Sequence, residues 1–231
     1  MPHEAKPILC YVTDRLALSP YEGLSLSRKE ASRAGNDLLA VMRRGIAAGV
    51  DWVQLREKDL PARALLELAR EAVRAARGSA TRIVVNDRLD VALAAGATGA
   101  HLGEASLPEA EVARWCQAAI REGRVPEGFL VGASCHSLEA AVEAERGGAD
   151  YIFFGPVFAT PSKAAFGPPQ GLSRLAEVCH RVRIPVLAIG GITLENAVAC
   201  LEAGATGMAA IRLFQGSTDL AAVVNQLRAK F

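Results

Sequence analysis

Arg56 and Lys58 stand two residues apart in Val53-Gln54-Leu55-Arg56-Glu57-Lys58. Along a strand, period-two alternation sends Gln54 and Arg56 to one face and Val53 and Leu55 to the other. An inward-pointing cation is too costly to bury alone, so these charges are either neutralised by Glu57 and Asp59 or held ready for an anion. Asp87, beside Asn86, offers the hard carboxylate oxygen that magnesium prefers, with waters and substrate phosphates completing the shell. Glu104 reads either as a second such carboxylate or as an exposed loop residue. Gly190-Gly191 lets backbone N–H groups approach a ligand, or simply makes a tight turn. Arg212, some twenty residues on, is a bidentate donor suited to phosphate. In Ser134-Cys135-His136, the histidine has the side chain whose ordinary pKa, about 6.5, suits proton transfer, or it merely opens a helix. Thr160, Ser162 and Lys163 share a proline-bounded loop. His101, between apolar neighbours, reads as a packed histidine, and His3 and His180 carry no signal.

These residues need a scaffold that brings distant stretches together, and an internal repeat supplies one. Ala-Ala-Gly-Val-Asp-Trp-Val-Gln-Leu-Arg (47–56), Ala-Ala-Gly-Ala-Thr-Gly-Ala-His-Leu-Gly (94–103), Arg-Gly-Gly-Ala-Asp-Tyr-Ile-Phe-Phe-Gly (146–155) and Glu-Ala-Gly-Ala-Thr-Gly-Met-Ala-Ala-Ile (202–211) share one phrase. Each starts as a helix ends, with Gly49, Gly96, Gly148 or Gly204 placed for a left-handed cap, and runs on into a short strand. The glycines lie 47, 52 and 56 residues apart, room for two strand-plus-helix units between each pair. Further strands are expected at Ile8–Thr13, Arg82–Asn86, Leu130–Ser134 and Pro185–Ile189. Amphipathic helices are expected at 37–48, 62–77, 138–146, 173–181, 195–203 and 220–230.

Eight near-continuously apolar strands alternating with about eight helices imply an α/β fold, a (β/α)₈ TIM barrel occupying residues 1–231 as a single domain. An open doubly wound sheet is the competitor, but no Gly-x-Gly-x-x-Gly follows the first strand. Residues 18–36, rich in Ser, Arg and Lys, fall outside the rhythm and read as a long first loop. In a barrel the residues singled out above follow the carboxyl ends of successive strands, where such folds do their chemistry.

Composition narrows the partners. The 231 residues carry 26 basic and 25 acidic side chains, a net charge of +1, which leaves no field to steer a nucleic acid or an anionic membrane. Five dispersed cysteines fit neither a disulfide framework nor a CxxC zinc set and suit a reducing cytoplasm. The opening Met-Pro-His-Glu-Ala-Lys has no apolar run of the kind an export signal needs, and no stretch approaches the roughly 18 residues of a membrane span. The expected partner is a small phosphorylated molecule.

The strand-end motifs taken together resemble the family of thiamine phosphate synthase and its close relative the thiazole tautomerase. The resemblance runs through Tyr11-Val12-Thr13-Asp14, Val53 to Lys58, Val85-Asn86-Asp87-Arg88, His101-Leu102-Gly103, Ser134-Cys135-His136-Ser137, Gly155 to Lys163 and Ala188-Ile189-Gly190-Gly191-Ile192. It implies the joining of hydroxymethylpyrimidine diphosphate to thiazole phosphate. By position, Gln54, Arg56, Lys58, Asn86 and Lys163 would hold the pyrimidine diphosphate, Asp87 would bind Mg2+, and Ser134 would lie near the departing group. Thr160, Ser162, Gly191, Ile211 and Arg212 would hold the thiazole phosphate. Lys163 and Arg56, with the metal, would stabilise the leaving charge. The resemblance leaves a homodimer open.

Three positions depart from the synthase pattern: Glu104 replaces a glutamine, Ser106 the second magnesium aspartate, and Arg212 a small serine. The tautomerase alternative would use His136 as acid or base, without metal. A non-catalytic barrel that binds thiazole phosphate is the third reading.

Overall fold

A computed structural model describes residues 6–18, 28–160 and 168–230. Eight parallel strands form a closed barrel in sequence order: β1 Ile8–Val12, β2 Trp52–Leu55, β3 Arg82–Asn86, β4 Gly99–Leu102, β5 Leu130–Cys135, β6 Tyr151–Phe154, β7 Val186–Ile189 and β8 Gly207–Ala210. The closing pair sets Ile8 opposite Gly207 and Cys10 opposite Ala209. Nine helices among the described residues alternate with the strands: α1 Arg28–Ala48, α2 Ala62–Ala76, α3 Leu89–Ala95, α4 Glu109–Arg121, α5 Leu138–Arg146, α6 Gly171–Arg181, α7 Ala197–Glu202, α8 Arg212–Gln215 and α9 Leu220–Arg228. The barrel is thus the one expected from the repeat. Gly49, Gly96, Gly148 and Gly204 all have positive φ, between 71° and 96°, which an L side chain adopts only at a cost.

The repeat also explains how neighbouring strands are tied. Asp51 accepts the Leu9 N–H at 2.7 Å, and Asp150, at the same place in its own copy of the phrase, accepts the Val131 N–H at 2.7 Å. Each carboxylate caps the strand before its own.

Alternation divides the core in two. Val53, Leu55, Ile83, Val85, Ile152 and Phe154 point outward and pack with the helices, while Cys10, Val12, Trp52, Tyr151, Phe153, Leu187 and Ala209 fill the interior of the barrel. Each large side chain taken from water contributes about 1.5–3 kcal/mol, so a one-residue slip of any strand would be strongly opposed. Small residues make the interior possible: a Cβ on Gly132 would collide with the Tyr151 ring.

Two helical expectations need correction. The first helix begins at Arg28 rather than 37, so nine residues assigned to a long loop are helical. Arg, Lys, Glu and Ala dominate this stretch and favour a helix without an apolar stripe. What remains of that loop, 19–27, lies outside the described residues. The helices α3 and α4 were absent from the expected amphipathic stretches; α3 has only seven residues, too few for a period to stand out.

Candidate active site

At the carboxyl end of the barrel Gln54 and Asn86 are joined across β2 and β3, Nε2 donating to Oδ1 at 3.1 Å. Gln54 is buried, Asn86 half-buried. Next along β2, the Arg56 N–H donates to Thr13 Oγ1 at 3.0 Å, which ties the end of β2 to the end of β1.

The acids flanking Arg56 belong to a different cation. After β1 a single 3-10 turn, Arg15–Ala17, brings in Arg15. Its Nη1 lies 3.1 Å from Glu57 Oε2, and Nη1 and Nη2 each reach an Asp59 oxygen at 2.6 Å. Thr13 Oγ1 also donates to Glu57, at 2.6 Å. The Arg15 and Glu57 side chains are only 4% and 1% exposed. Burial outweighs these donors and lifts the Glu57 carboxyl above its usual range, whereas the guanidinium holds Asp59 below its own. Arg56, half-buried, and Lys58, exposed, meet no carboxylate among the described residues. Of the two readings open for these cations, neutralisation by Glu57 and Asp59 is not the one seen.

Asp87 sits in left-handed backbone, φ 63°, its N–H donating to the His101 carbonyl at 2.8 Å. That conformation turns the carboxylate out at the rim, where it is exposed. Ser106 is committed elsewhere, accepting the Gly103 N–H at 2.7 Å to close its own turn. Glu104 is 69% exposed, with Oε1 3.7 Å from His136 Nε2. Among the described residues no three His, Cys, Asp or Glu side chains come together as a metal cage. A magnesium ion needs only one or two carboxylates when substrate phosphates complete its shell, so Asp87 fits that smaller role.

On β4 and β5 the histidines take different parts. His101 is 1% exposed, packed at a tilt against Phe153 with centroids 4.2 Å apart, its Nδ1 3.1 Å from the Tyr151 hydroxyl and its Nε2 2.9 Å from Ser134 Oγ. Burial first, then the charge of Arg56, pushes its pKa down to about 3. It is the packed, satisfied residue expected, and it also reaches a candidate site side chain. His136 is half-buried and hydrogen-bonds the Gly155 carbonyl through Nδ1. A carbonyl only accepts, so Nδ1 carries the proton and Nε2 is left facing Glu104.

The far side of the rim is built by β6, β7 and β8. Gly190 and Gly191 have φ of 94° and 66°. A Cβ on Gly190 would come within 2.5 Å of Pro156, and one on Gly191 within 2.7 Å of the Ala159 carbonyl. The pair therefore lets the loop after β6 close down, pinned by Val157 N–H to the Ile189 carbonyl (2.9 Å) and Phe158 N–H to that of Gly190 (3.0 Å). Asn196 Nδ2 holds the Gly191 carbonyl at 2.9 Å. Ile211 precedes α8, and Arg212 opens it with an exposed side chain, so its bulk stays out of the barrel interior. Thr160 is half-buried on the β6 loop. Ser162 and Lys163 lie outside the described residues.

Several residues escaped the sequence. Arg15 and Gln215 have no motif, yet Gln215 accepts from the Tyr11 hydroxyl at 2.9 Å and the Asp14 N–H at 3.1 Å, joining α8 to the end of β1. Tyr151 was not singled out in the sequence; the structure sets it opposite Gly132.

Known proteins resemble this chain closely. A family model described as thiamine monophosphate synthase matches residues 26–214. The thiamine-phosphate synthase of Methanoculleus marisnigri is 45% identical over 186 residues, covering 80% of this chain and 84% of that protein. That of Methanocella arvoryzae is 43% identical over 187 residues, covering 81% and 84%. Among solved structures, thiamine phosphate pyrophosphorylase from Pyrococcus furiosus superposes with a TM-score of 0.76 at 31% identity, over 98% of this chain and 96% of that one.

Proposed function

Because the chain belongs to the thiamine monophosphate synthase family, we propose that it joins hydroxymethylpyrimidine diphosphate to thiazole phosphate. The thiazole nitrogen forms a bond to the pyrimidine methylene carbon as that carbon's bond to oxygen breaks, giving thiamine phosphate and diphosphate. No protein nucleophile takes part. The observation that carries this reading is the pairing of Arg15 with Glu57 and Asp59, which leaves Arg56 and Lys58 at the rim for an anionic group.

In this reading Gln54 and Asn86, already bonded to each other, receive the polar edge of the pyrimidine. Arg56 grips diphosphate oxygens through its planar fork as negative charge gathers on them. Lys58 and Lys163 add charge from the rim, and Ser134 donates to the departing group. Thr160, Ser162, Gly191, Ile211 and Arg212 hold the thiazole phosphate on the opposite side, so two substrates are fixed face to face. Asp87 is the residue that would hold magnesium, whose chemistry there is to neutralise the diphosphate. Ser106 lends it no second carboxylate, since its hydroxyl closes a turn, while the exposed Glu104 stands 3.7 Å from His136.

The reading includes a cytoplasmic enzyme, in keeping with five free cysteines. Among the described residues no helix is long and apolar enough to cross a membrane.

Incubation of the purified protein with both substrates and magnesium tests the proposal; thiamine phosphate is the expected product, and its absence at high enzyme concentration rejects the synthase. A second reading, thiazole tautomerisation by His136, is supported by Glu104 beside its Nε2. Metal-independent isomerisation of a thiazole carboxylate phosphate, stopped by His136→Ala and untouched by Asp87→Asn, would identify it.

A further inference from the structure

Tyr151, His101 and Ser134 form a row running from the barrel interior to its mouth, through contacts of 3.1 Å and 2.9 Å. Tyr151 is wholly buried, wedged over Gly132 with Trp52 edge-on at 4.6 Å. Among the described residues its hydroxyl has one hydrogen-bond partner, His101 Nδ1. Two directions are conceivable for the row. If Ser134 donated to Nε2, then Nδ1–H would donate to the tyrosine, and the phenolic hydrogen would be buried with no acceptor. Leaving a buried donor unmet costs more than a hydrogen bond returns. In the other direction Tyr151 donates to Nδ1, the neutral ring carries its proton on Nε2, and Nε2–H donates to Ser134 Oγ. Every buried hydrogen is then satisfied. Both rings are 1% exposed, where an imidazolium would be buried with no carboxylate partner among the described residues.

We propose that Tyr151 and His101 are positioning residues that fix Ser134 as a hydrogen-bond donor toward the anionic substrate group in the mouth of the barrel. Ser134 Oγ is occupied as an acceptor by Nε2–H, so its own hydrogen is directed away from the ring, and Ser134 is the member of the row that is half-buried rather than enclosed. The direction is set from the sealed end, by a tyrosine that touches no substrate. Identifying the acceptor as a diphosphate oxygen rests on the synthase reading; the direction of the row does not.

Nitrogen-15 NMR of the imidazoles at neutral pH tests the direction, with His101→Gln assigning the signal. The Nε2–H tautomer is expected in the native protein, and Nδ1–H would overturn the proposal. Kinetics test the consequence. Tyr151→Phe keeps the ring in its socket and removes only the donor, so kcat/KM should fall about threefold to tenfold, the scale of one neutral hydrogen bond. Combined with Ser134→Ala it should cause no further loss; an equal loss in both backgrounds would show a merely structural effect and overturn the proposal. His101→Gln, which can accept at one end and donate at the other, should retain more activity than His101→Leu. Should the native protein make no thiamine phosphate, the synthase reading fails, and binding of inorganic diphosphate takes the place of kinetics. Tyr151→Phe must then weaken binding only where Ser134 is present, and weakening in both backgrounds would again reject the relay.

Discussion

Arg15 lies 3.1 Å from Glu57, Nη1 to Oε2, with both side chains almost completely buried, so the carboxylate that follows Arg56 in sequence is paired with a different cation. Glu57 is adjacent to Arg56 in sequence but shares the parity of Val53 and Leu55, which face the helices. Alternation alone separates the neighbours. Removing the guanidinium would leave a buried carboxylate unpaired, a loss of about 3–5 kcal/mol. Arg15→Met is therefore expected to lower stability on that scale in urea unfolding, with part of the loss recovered in Arg15→Met combined with Glu57→Leu. Recovery in the double variant separates an uncompensated charge from lost packing; equal instability of both would refute the pairing argument.

Arg56 and Lys58 differ in what they should contribute. Arg56 is half-buried at the rim, where a fork of donors gripping phosphate is desolvated, whereas Lys58 is exposed and screened by salt. Loss of a charge-assisted hydrogen bond of about 1.5–3 kcal/mol corresponds to roughly tenfold to a hundredfold in kcat/KM. Arg56→Ala is expected in that range, Arg56→Lys only partly restored, and Lys58→Ala small and vanishing at high salt. Steady-state kinetics against the diphosphate substrate at two ionic strengths would measure all three; a Lys58→Ala defect as large as that of Arg56→Ala would contradict this ranking.

Asp87 offers a clean test of the magnesium role because of its backbone. At φ 63° most residues are strained, but asparagine tolerates this region at least as well as aspartate. Asp87→Asn should therefore keep stability within about 0.5 kcal/mol, as for ordinary surface changes, while activity falls and the magnesium needed for half-maximal rate rises. Ser106→Asp places a carboxylate where the turn now has a hydroxyl and should shift the magnesium requirement the opposite way. Unchanged magnesium dependence in both variants would remove Asp87 from the metal site.

The barrel was readable because its signals are repeated and local: four glycine-capped phrases, each continuing into a strand, define the period that closes the ring. The site was readable only where residues follow a strand and alternate with apolar neighbours, as Gln54 and Arg56 do. Its supporting contacts span the sequence. Arg15 meets Asp59 from 44 positions away and Gln215 meets Tyr11 from 204, and nothing in the spacing of either residue announces its partner. The glycines of β7 show the complementary limit. Gly190-Gly191 suggested an approach to a ligand, and the structure gives a sufficient reason in the loop from Pro156 to Ala159 that must pass close by. The start of α1 was missed because its first nine residues carry helix propensity without an apolar stripe, and the stripe is the stronger signal in sequence.

His101 should also be visible in the dependence of stability on pH. In the unfolded chain its imidazole takes up a proton near the ordinary value of 6.5, whereas in the fold, enclosed by Tyr151 and Phe153 and near the charge of Arg56, it does so only at about 3. Between these values the unfolded state binds more protons than the folded one. Acidification therefore favours unfolding, by up to about 1.4 kcal/mol for each pH unit from this residue alone. The contribution is fully present above pH 6.5 and is lost progressively as the pH falls toward 3. Glu57 works in the opposite sense, since its raised carboxyl favours the folded state as pH falls, but it is common to the native protein and to His101→Gln. The difference between the two stability curves thus isolates the histidine. Denaturant unfolding at pH 7, 6, 5 and 4 should show the native protein losing stability faster than His101→Gln below pH 6.5, with parallel curves above it. Curves that stay parallel throughout would mean that the ring is protonated within the barrel, and that the interior is far wetter than its packing implies.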